Sequence, residues 1–476
     1  MADPTPRTRR PVLPRAALLA LLLAATLAAG AAARRVAVPD PTPPRITGAN
    51  GAVALTAELD RSAVLRGSDG LVRMELVLRG AAGAQQAARV PTDLVVVLDR
   101  SGSMDGAPIA TALAAVRELV AGLADGDRFA LVSYASDARI DIPLEAASGA
   151  ARERWESAIA AIAADGGTNT AGGLDLGHAL LAGAPRRGAV PRVVVLSDGH
   201  ANEGDYSLEG LRTRASRARA GEYVLSAVGI GDGFDETVMS ALADAGTGNF
   251  YYLPDVAKLA GIFADEFAAA RETVVRALAV RIAPAAGVVV ASAGGYPLEA
   301  ENGGVRFHPG DLFAVQERRI WLTLHAPTSA TGDVDLGELS LDYATPDGYR
   351  AQLAATHLPR LACVAREDDY YASFDSERYQ RAELRESVGA LKQRVAEKVA
   401  AGQHEEAVAE LNAYQSRSGS EQLRALGYAI PDQERLVNEL RAQVSSPAAA
   451  APEARARLGK QLLESGRDDQ RAGAKR

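Results

Sequence analysis

Soft-metal and redox chemistry have little to work with in this chain: 476 residues contain one cysteine and six histidines. Cys363, the lone thiol, excludes an intrachain disulfide, and no CxxC pair or Cys/His zinc pattern occurs. Positive charge is also in deficit. Lys and Arg number 52 against 60 Asp and Glu, a formal charge of −8. Setting aside residues 1–33, with four Arg and one Asp, leaves −11. So acidic a surface argues against nucleic acid or anionic lipid as the main partner and suits a divalent cation. GxSxG, HExxH and Walker A strings are absent as well. What remains for chemistry is oxygen.

The bulk composition is globular, with 47% hydrophobic and 24% charged residues, 45 Gly and 23 Pro. At roughly 100–200 residues per domain, two to four domains are expected. Arg7, Arg9, Arg10 and Arg15 precede an uncharged Ala/Leu stretch at 16–33 that ends in small residues. This reads as an export signal cleaved before Arg34, with an uncleaved anchor helix as the alternative. No Cys follows it, which argues against a lipid anchor. The expected location is therefore periplasmic, secreted or membrane-anchored, with membrane contact only through this segment if it is kept. Residues 34–50, containing PDPTPP, read as an extended linker.

Between 51 and 91 the pattern is strand-like, with VALTAELD and LVRMELVLR separated by a turn-rich RGSDG. At Asp93 it changes. The apolar run 94–98 is that of a strand buried on both faces, and helical and strand patterns then alternate to about 274. The helices expected there include 155–164, 174–181 and a last one at 256–275. Such alternation predicts an α/β fold with a doubly wound, mostly parallel sheet over 92–274. From 275 to 362 strands return, at 278–282, 287–291, 320–324 and 336–343. Pairing them with the early strands makes one β-sandwich with the α/β domain inserted, and leaves fewer bare edges than two separate modules. Residues 363–476 form a helical C-terminal region, with stripes at 384–399, 408–414 and 436–444, a flexible break at 445–452 and a frayed end.

Strand 94–98 ends in Asp99-Arg100-Ser101-Gly102-Ser103. A carboxylate and two hydroxyls thus stand at the carboxyl end of a buried strand, where open α/β sheets place ligands. Two further loops belong to the same edge: one carries Thr168 ahead of a helix, the other carries Asp198 after the next apolar strand. Three hydroxyls and two carboxylates make an all-oxygen shell for a hard cation, Mg2+ first, with Mn2+ or Ca2+ as substitutes. Because the hydroxyls are neutral, they compensate such an ion only in part. An open position would then attract an outside carboxylate. Other polar residues read as ordinary. His200 is a solvated loop residue, Glu203 and Asp205 are loop or rim residues, and Asp93 lies at the far end of the strand. Asp105 is expected to cap the following helix, 229–233 is a strand-ending turn, and Cys363 is buried filler.

At Asp99, Ser101, Ser103, Thr168 and Asp198 the chain resembles the von Willebrand factor A domain, position for position in its metal-ion-dependent adhesion site. Residues 241–252 (ALADAGTGNFYY) are similar to the late helix–strand region of bacterial members and of inter-alpha-trypsin inhibitor heavy chains, which also flank the domain with β structure. The resemblance implies direct ligation by Ser101, Ser103 and Thr168. It implies that Asp99 and Asp198 act directly or through water. Its functional implication is a non-enzymatic binding module whose partner protein supplies an Asp or Glu to the metal. The alternative it leaves is an accessory subunit of an ATPase or metal-inserting enzyme.

Overall fold

The structure is a computed structural model that describes residues 45–47, 51–82, 90–418, 431–446 and 451–475. The signal-like segment, most of the 34–50 linker and much of the 445–452 break lie outside the described residues.

The described residues open with β1 (Arg45–Thr47), β2 (Val53–Leu59), β3 (Ala63–Leu65) and β4 (Leu71–Gly80). The α/β domain follows as β5 (Thr92–Asp99), α1 (Ala107–Ala121), β6 (Arg128–Tyr134), β7 (Ala138–Ala146) and α2 (Gly149–Ala160). It continues with α3 (Thr170–Gly183), β8 (Val190–Ser197), α4 (Leu208–Ala220) and β9 (Val224–Ile230). It ends with α5 (Glu236–Ala245), β10 (Thr247–Leu253) and α6 (Leu259–Arg271).

The domain's sheet has the order β10-β9-β8-β5-β6-β7, parallel except for the β6–β7 edge pair. Every residue of β5 is buried because alternate side chains serve opposite faces. Val96 and Leu98 pack with α1, α2 and α6, whereas Val95 and Val97 pack with α3, α4 and α5.

Past the domain come β11 (Thr273–Pro284), β12 (Val289–Ala293), β13 (Glu299–Glu301), β14 (Gly304–Phe313) and β15 (Glu317–His325). Then follow β16 (Gly332–Val334), β17 (Gly337–Ala344), β18 (Arg350–His357) and β19 (Leu361–Val364). One sheet, β1-β2-β4-β15-β12, joins strands from before and after the domain. A second, β13-β14-β11-β17-β18, faces it across a shared core that includes Met74, Leu76, Val280, Leu322 and Leu341. A small sheet, β16-β19-β3, closes one end. Buried and partly exposed residues alternate along β2 and β17, as a sandwich with one wet face requires.

The C-terminal helices are α7 (Glu367–Ala372), α8 (Ser376–Ala382), α9 (Val388–Ala400), α10 (His404–Ser418), α11 (Pro431–Val444) and α12 (Pro452–Gln470). Val388, Leu391, Val395 and Val399 meet Leu411, Val437 and Leu440 in their own core. Among the described residues no helix is long and apolar enough to cross a membrane.

Three expectations are corrected. The last domain helix stops at Arg271 rather than 275, because the β-branched run from Thr273 opens β11. The helix expected at 155–164 begins instead at Gly149, capped by Ser148, and ends at Ala160. The frayed end is instead α12, a 19-residue helix docked on both the α/β domain and the sandwich.

Candidate metal site

Parallel pairing of β5 with β8 and β6 aligns their carboxyl ends and brings three loops together. At the end of β5, Asp99 is fully buried. Its Oδ1 accepts from the Ser101 amide at 2.8 Å and its Oδ2 accepts from Ser197 Oγ at 2.7 Å. Ser101 Oγ and Ser103 Oγ lie 3.1 Å apart, and Ser103 Oγ donates to Asp198 Oδ1 at 2.6 Å. Residues 95 positions apart thus meet in one hydrogen bond. The Thr168 hydroxyl borders the same space: a Cβ placed at Gly199 would lie 3.2 Å from Ser103 Oγ and 3.9 Å from Thr168 Oγ1.

Backbone bonds set this geometry. Gly102 N donates to Gly166 O at 3.0 Å, and Asp165 N donates to Arg100 O at 2.8 Å, which ties the first loop to the second. The second loop is tied to the third through Asn202. Thr168 N donates to Asn202 Oδ1 at 2.8 Å, and Asn202 N donates to Thr168 O at 3.1 Å. Asn169 caps α3 by accepting from Gly172 N, so the loop enters its helix directly after Thr168. Arg100 turns away from the site and binds Asp137 at 2.6 Å.

The electrostatics suit a cation. Burial pushes the Asp99 carboxyl above its usual range, against the hydrogen bonds from Ser101 and Ser197. Asp198 is raised too, first by burial and then by the charge of Asp99, against the bond from Ser103. Two carboxylates in mutual repulsion beside three hydroxyls form a hard-oxygen donor set. A divalent ion fits that set chemically. Among the described residues no group of three or more His, Cys, Asp or Glu exists to compete for it.

The remaining sequence candidates fall around this centre. His200 is two-thirds exposed and sits 3.6 Å from Asp235. Glu203 leans over the second loop and accepts from Ser136 Oγ at 2.9 Å. Asp205 is held by Ser207 and Arg214. Asp93, at the opposite end of β5, pairs with Arg128 and Arg186. Cys363 is buried in the sandwich core. Asp105 does not cap α1. Gly106, with φ of 80°, occupies that cap position and has no side chain to offer. The 229–233 segment is more than a turn, because Asp232 accepts from Tyr252 Oη and from Arg457. Sequence reasoning passed over Ser197 and Asn202. Only the position of Ser197, directly before Asp198 at a strand end, could have flagged it; nothing marks Asn202.

Residues 93–265 match the family model for the von Willebrand factor type A domain. Among curated proteins, the chain is 30% identical over 164 residues to YfbK of Escherichia coli (strain K12), itself uncharacterized. That match covers 34% of this chain and 28% of YfbK. It is 28% identical over 284 residues to the uncharacterized protein sll0103 of Synechocystis, covering 57% of this chain and 66% of that one. It is 29% identical over 150 residues to the inter-alpha-trypsin inhibitor heavy chain H4 of Sus scrofa, covering 30% of this chain and 16% of that protein. The chain therefore spans less than two thirds of each of these relatives. Among solved structures, a von Willebrand factor type A protein from Catenulispora acidiphila superposes with a TM-score of 0.66 at 18% identity. It covers 89% of this chain and 97% of its own, so the fold is shared well beyond the inserted domain.

Proposed function

Residues 93–265 being a von Willebrand factor type A domain, we propose that this domain binds a partner protein through a divalent cation, Mg2+ in the first instance, with Mn2+ or Ca2+ as substitutes. Such domains are in general interaction modules, and the chain is read as a binding protein rather than an enzyme. The observation that carries the proposal is the meeting of Ser101, Ser103 and Asp198 within hydrogen-bonding distance, with Thr168 on the same space.

Ser101, Ser103 and Thr168 would hold the ion through their hydroxyls. Asp99, with both oxygens engaged by Ser101 and Ser197, orients the loop and takes part directly or through water. Asp198, only partly buried, stands beside Ser103 at the rim. When bound, the ion supplies an electrophilic position, only partly neutralised, for an Asp or Glu of the partner. The site's one histidine, His200, is two-thirds exposed and lies against Asp235, which suits a rim residue better than a general base. The signal-like 16–33 stretch supports placing this activity outside the cytoplasm.

Capture on the immobilised chain tests the proposal. A partner retained in Mg2+ should be released by EDTA and should not be retained by Asp198→Ala. Retention that survives EDTA, or survives that substitution in a folded chain, contradicts it.

A further inference from the structure

Helix α12 reaches the back of the proposed cation site from the far end of the sequence. Arg457 donates to Asp232 Oδ2 from Nη2 at 2.6 Å and from Nε at 3.1 Å. One turn on, Lys460 is almost wholly buried, with its side chain 4% exposed. Its ammonium donates to the Phe234 carbonyl and to Glu236 Oε2, each at 2.8 Å, and stands 4.4 Å from the centre of the Phe234 ring. Next along the helix, Glu464 accepts from the Tyr252 amide at 3.2 Å. Three side chains on one face of α12 therefore grip the turn 231–236 and the neighbouring strand β10.

That turn is the wall behind Asp198. A Cβ at Gly233 would lie 2.9 Å from the Asp198 carbonyl, so the two backbones are in close contact. Asp235 faces His200 at 3.6 Å. The Phe234 ring lies directly over Gly229, where a Cβ would fall 2.3 Å away. Gly229 in turn pairs with Ser197, whose hydroxyl holds Asp99. A buried lysine is costly unless its donors are satisfied. Here they are spent on a backbone carbonyl and a carboxylate of this turn. The other end of α12 is fixed elsewhere. Lys392 of α9 donates to Ser465 and Asp469, Arg471 donates to the Gly295 carbonyl, and the Arg319 amide of the sandwich donates to the Ala472 carbonyl.

We infer that Arg457 and Lys460 are positioning residues for the cation site. By holding 231–236 against Asp198 they make cation affinity depend on the docking of the C-terminal helix. The inference rests on the proposed function and specifies how the site is regulated. Anything that lifts α12 from the domain, such as a partner of the C-terminal helices, would loosen the Asp198 loop.

Mg2+ titration calorimetry and amide hydrogen exchange on the full chain test it, using Arg457→Gln, Lys460→Met and Arg467→Met. Arg467 lies on the same helix but binds Asp244, away from the turn, and Arg471 also holds Asp244, so its loss reports the cost of removing one ion pair with the helix still docked on the turn. Arg457→Gln and Lys460→Met should each weaken Mg2+ binding by about tenfold, the usual scale for residues that support ligands. Both should also speed exchange at 198–203 in metal-free protein. Arg467→Met should lower the melting temperature while leaving Mg2+ affinity within about twofold and exchange at 198–203 unchanged. The inference is overturned if the two turn variants bind Mg2+ as the native chain does, or if Arg467→Met weakens binding equally. If the native chain binds no Mg2+, the proposed function falls instead. Exchange at 198–203 still decides whether α12 holds the loop.

Discussion

Asp99 and Ser103 occupy different places in the proposed site. Asp99 is sealed under the strand end and works on the loop, whereas Ser103 and Asp198 face outward and are bonded to each other. Gly199 keeps the space in front of them clear, since a methyl there would press on the Ser103 hydroxyl at 3.2 Å. Gly199→Ala should therefore weaken Mn2+ binding by about tenfold with little change in melting temperature. Paramagnetic resonance of the free ion measures this, and an unchanged affinity would remove Gly199 from the site. The five oxygen-bearing residues stand out in the sequence as candidates because they sit at landmarks, strand ends or a helix start. Ser197 and Asn202 do not. Their partners lie 98 and 34 positions away, and ordinary polar residues in loops carry no periodic signal.

Among the elements, β5, β8 and β9 are apolar runs buried along nearly their whole length, and the helix expected at 174–181 lies within α3. Strands β7 and β14 are among those that the sequence pattern does not announce. The first is an edge strand with a proline and only one buried residue, Ile142, so its alternation is faint. The second contains Pro309 and Gly310, which read as a turn, and it pairs with β11 through register shifts. The docking of α12 was hidden for a different reason. Its buried positions include Lys460, Arg467 and Gln470, with Gly466 allowing close approach to Gly389, so hydrophobic periodicity sees almost nothing. Ion pairs dock this helix, and acid should undock it. Burial of Asp244 opposes its charge, but Arg471 and Arg467 outweigh that and hold the carboxyl down at about 2, from a usual 3.8. The depressed value stabilises the native state at pH above the unfolded pKa, by about 2 kcal/mol. That contribution is lost as pH falls from about 4 through 2. Acid-unfolding curves of the native chain and Asp244→Asn should therefore differ most near neutrality and converge toward pH 2. A constant gap would contradict the assignment.

On the scale of the whole molecule, the α/β domain is an insertion whose two connections, between β4 and β5 and between α6 and β11, both lead into the sandwich. The two bodies also share a buried ionic joint. Arg192 of β8 lies 3.3 Å from Glu266 of α6 and 3.4 Å from Asp311 of β14. Helix α12 makes the third tie, so the face carrying Ser103 and Asp198 is presented by a domain braced at its base and along its β10 edge. Strands on both sides of a doubly wound pattern were enough to predict the insertion. The bracing was not predictable, because charged pairs between distant segments leave no local pattern. Calorimetric titration of the full chain with Mg2+, beside folded Asp198→Ala, decides whether the site's oxygens hold a cation. One saturable site is expected in the native chain, and its loss in the variant. Equal binding by the two, or none by the native chain, would contradict the proposal.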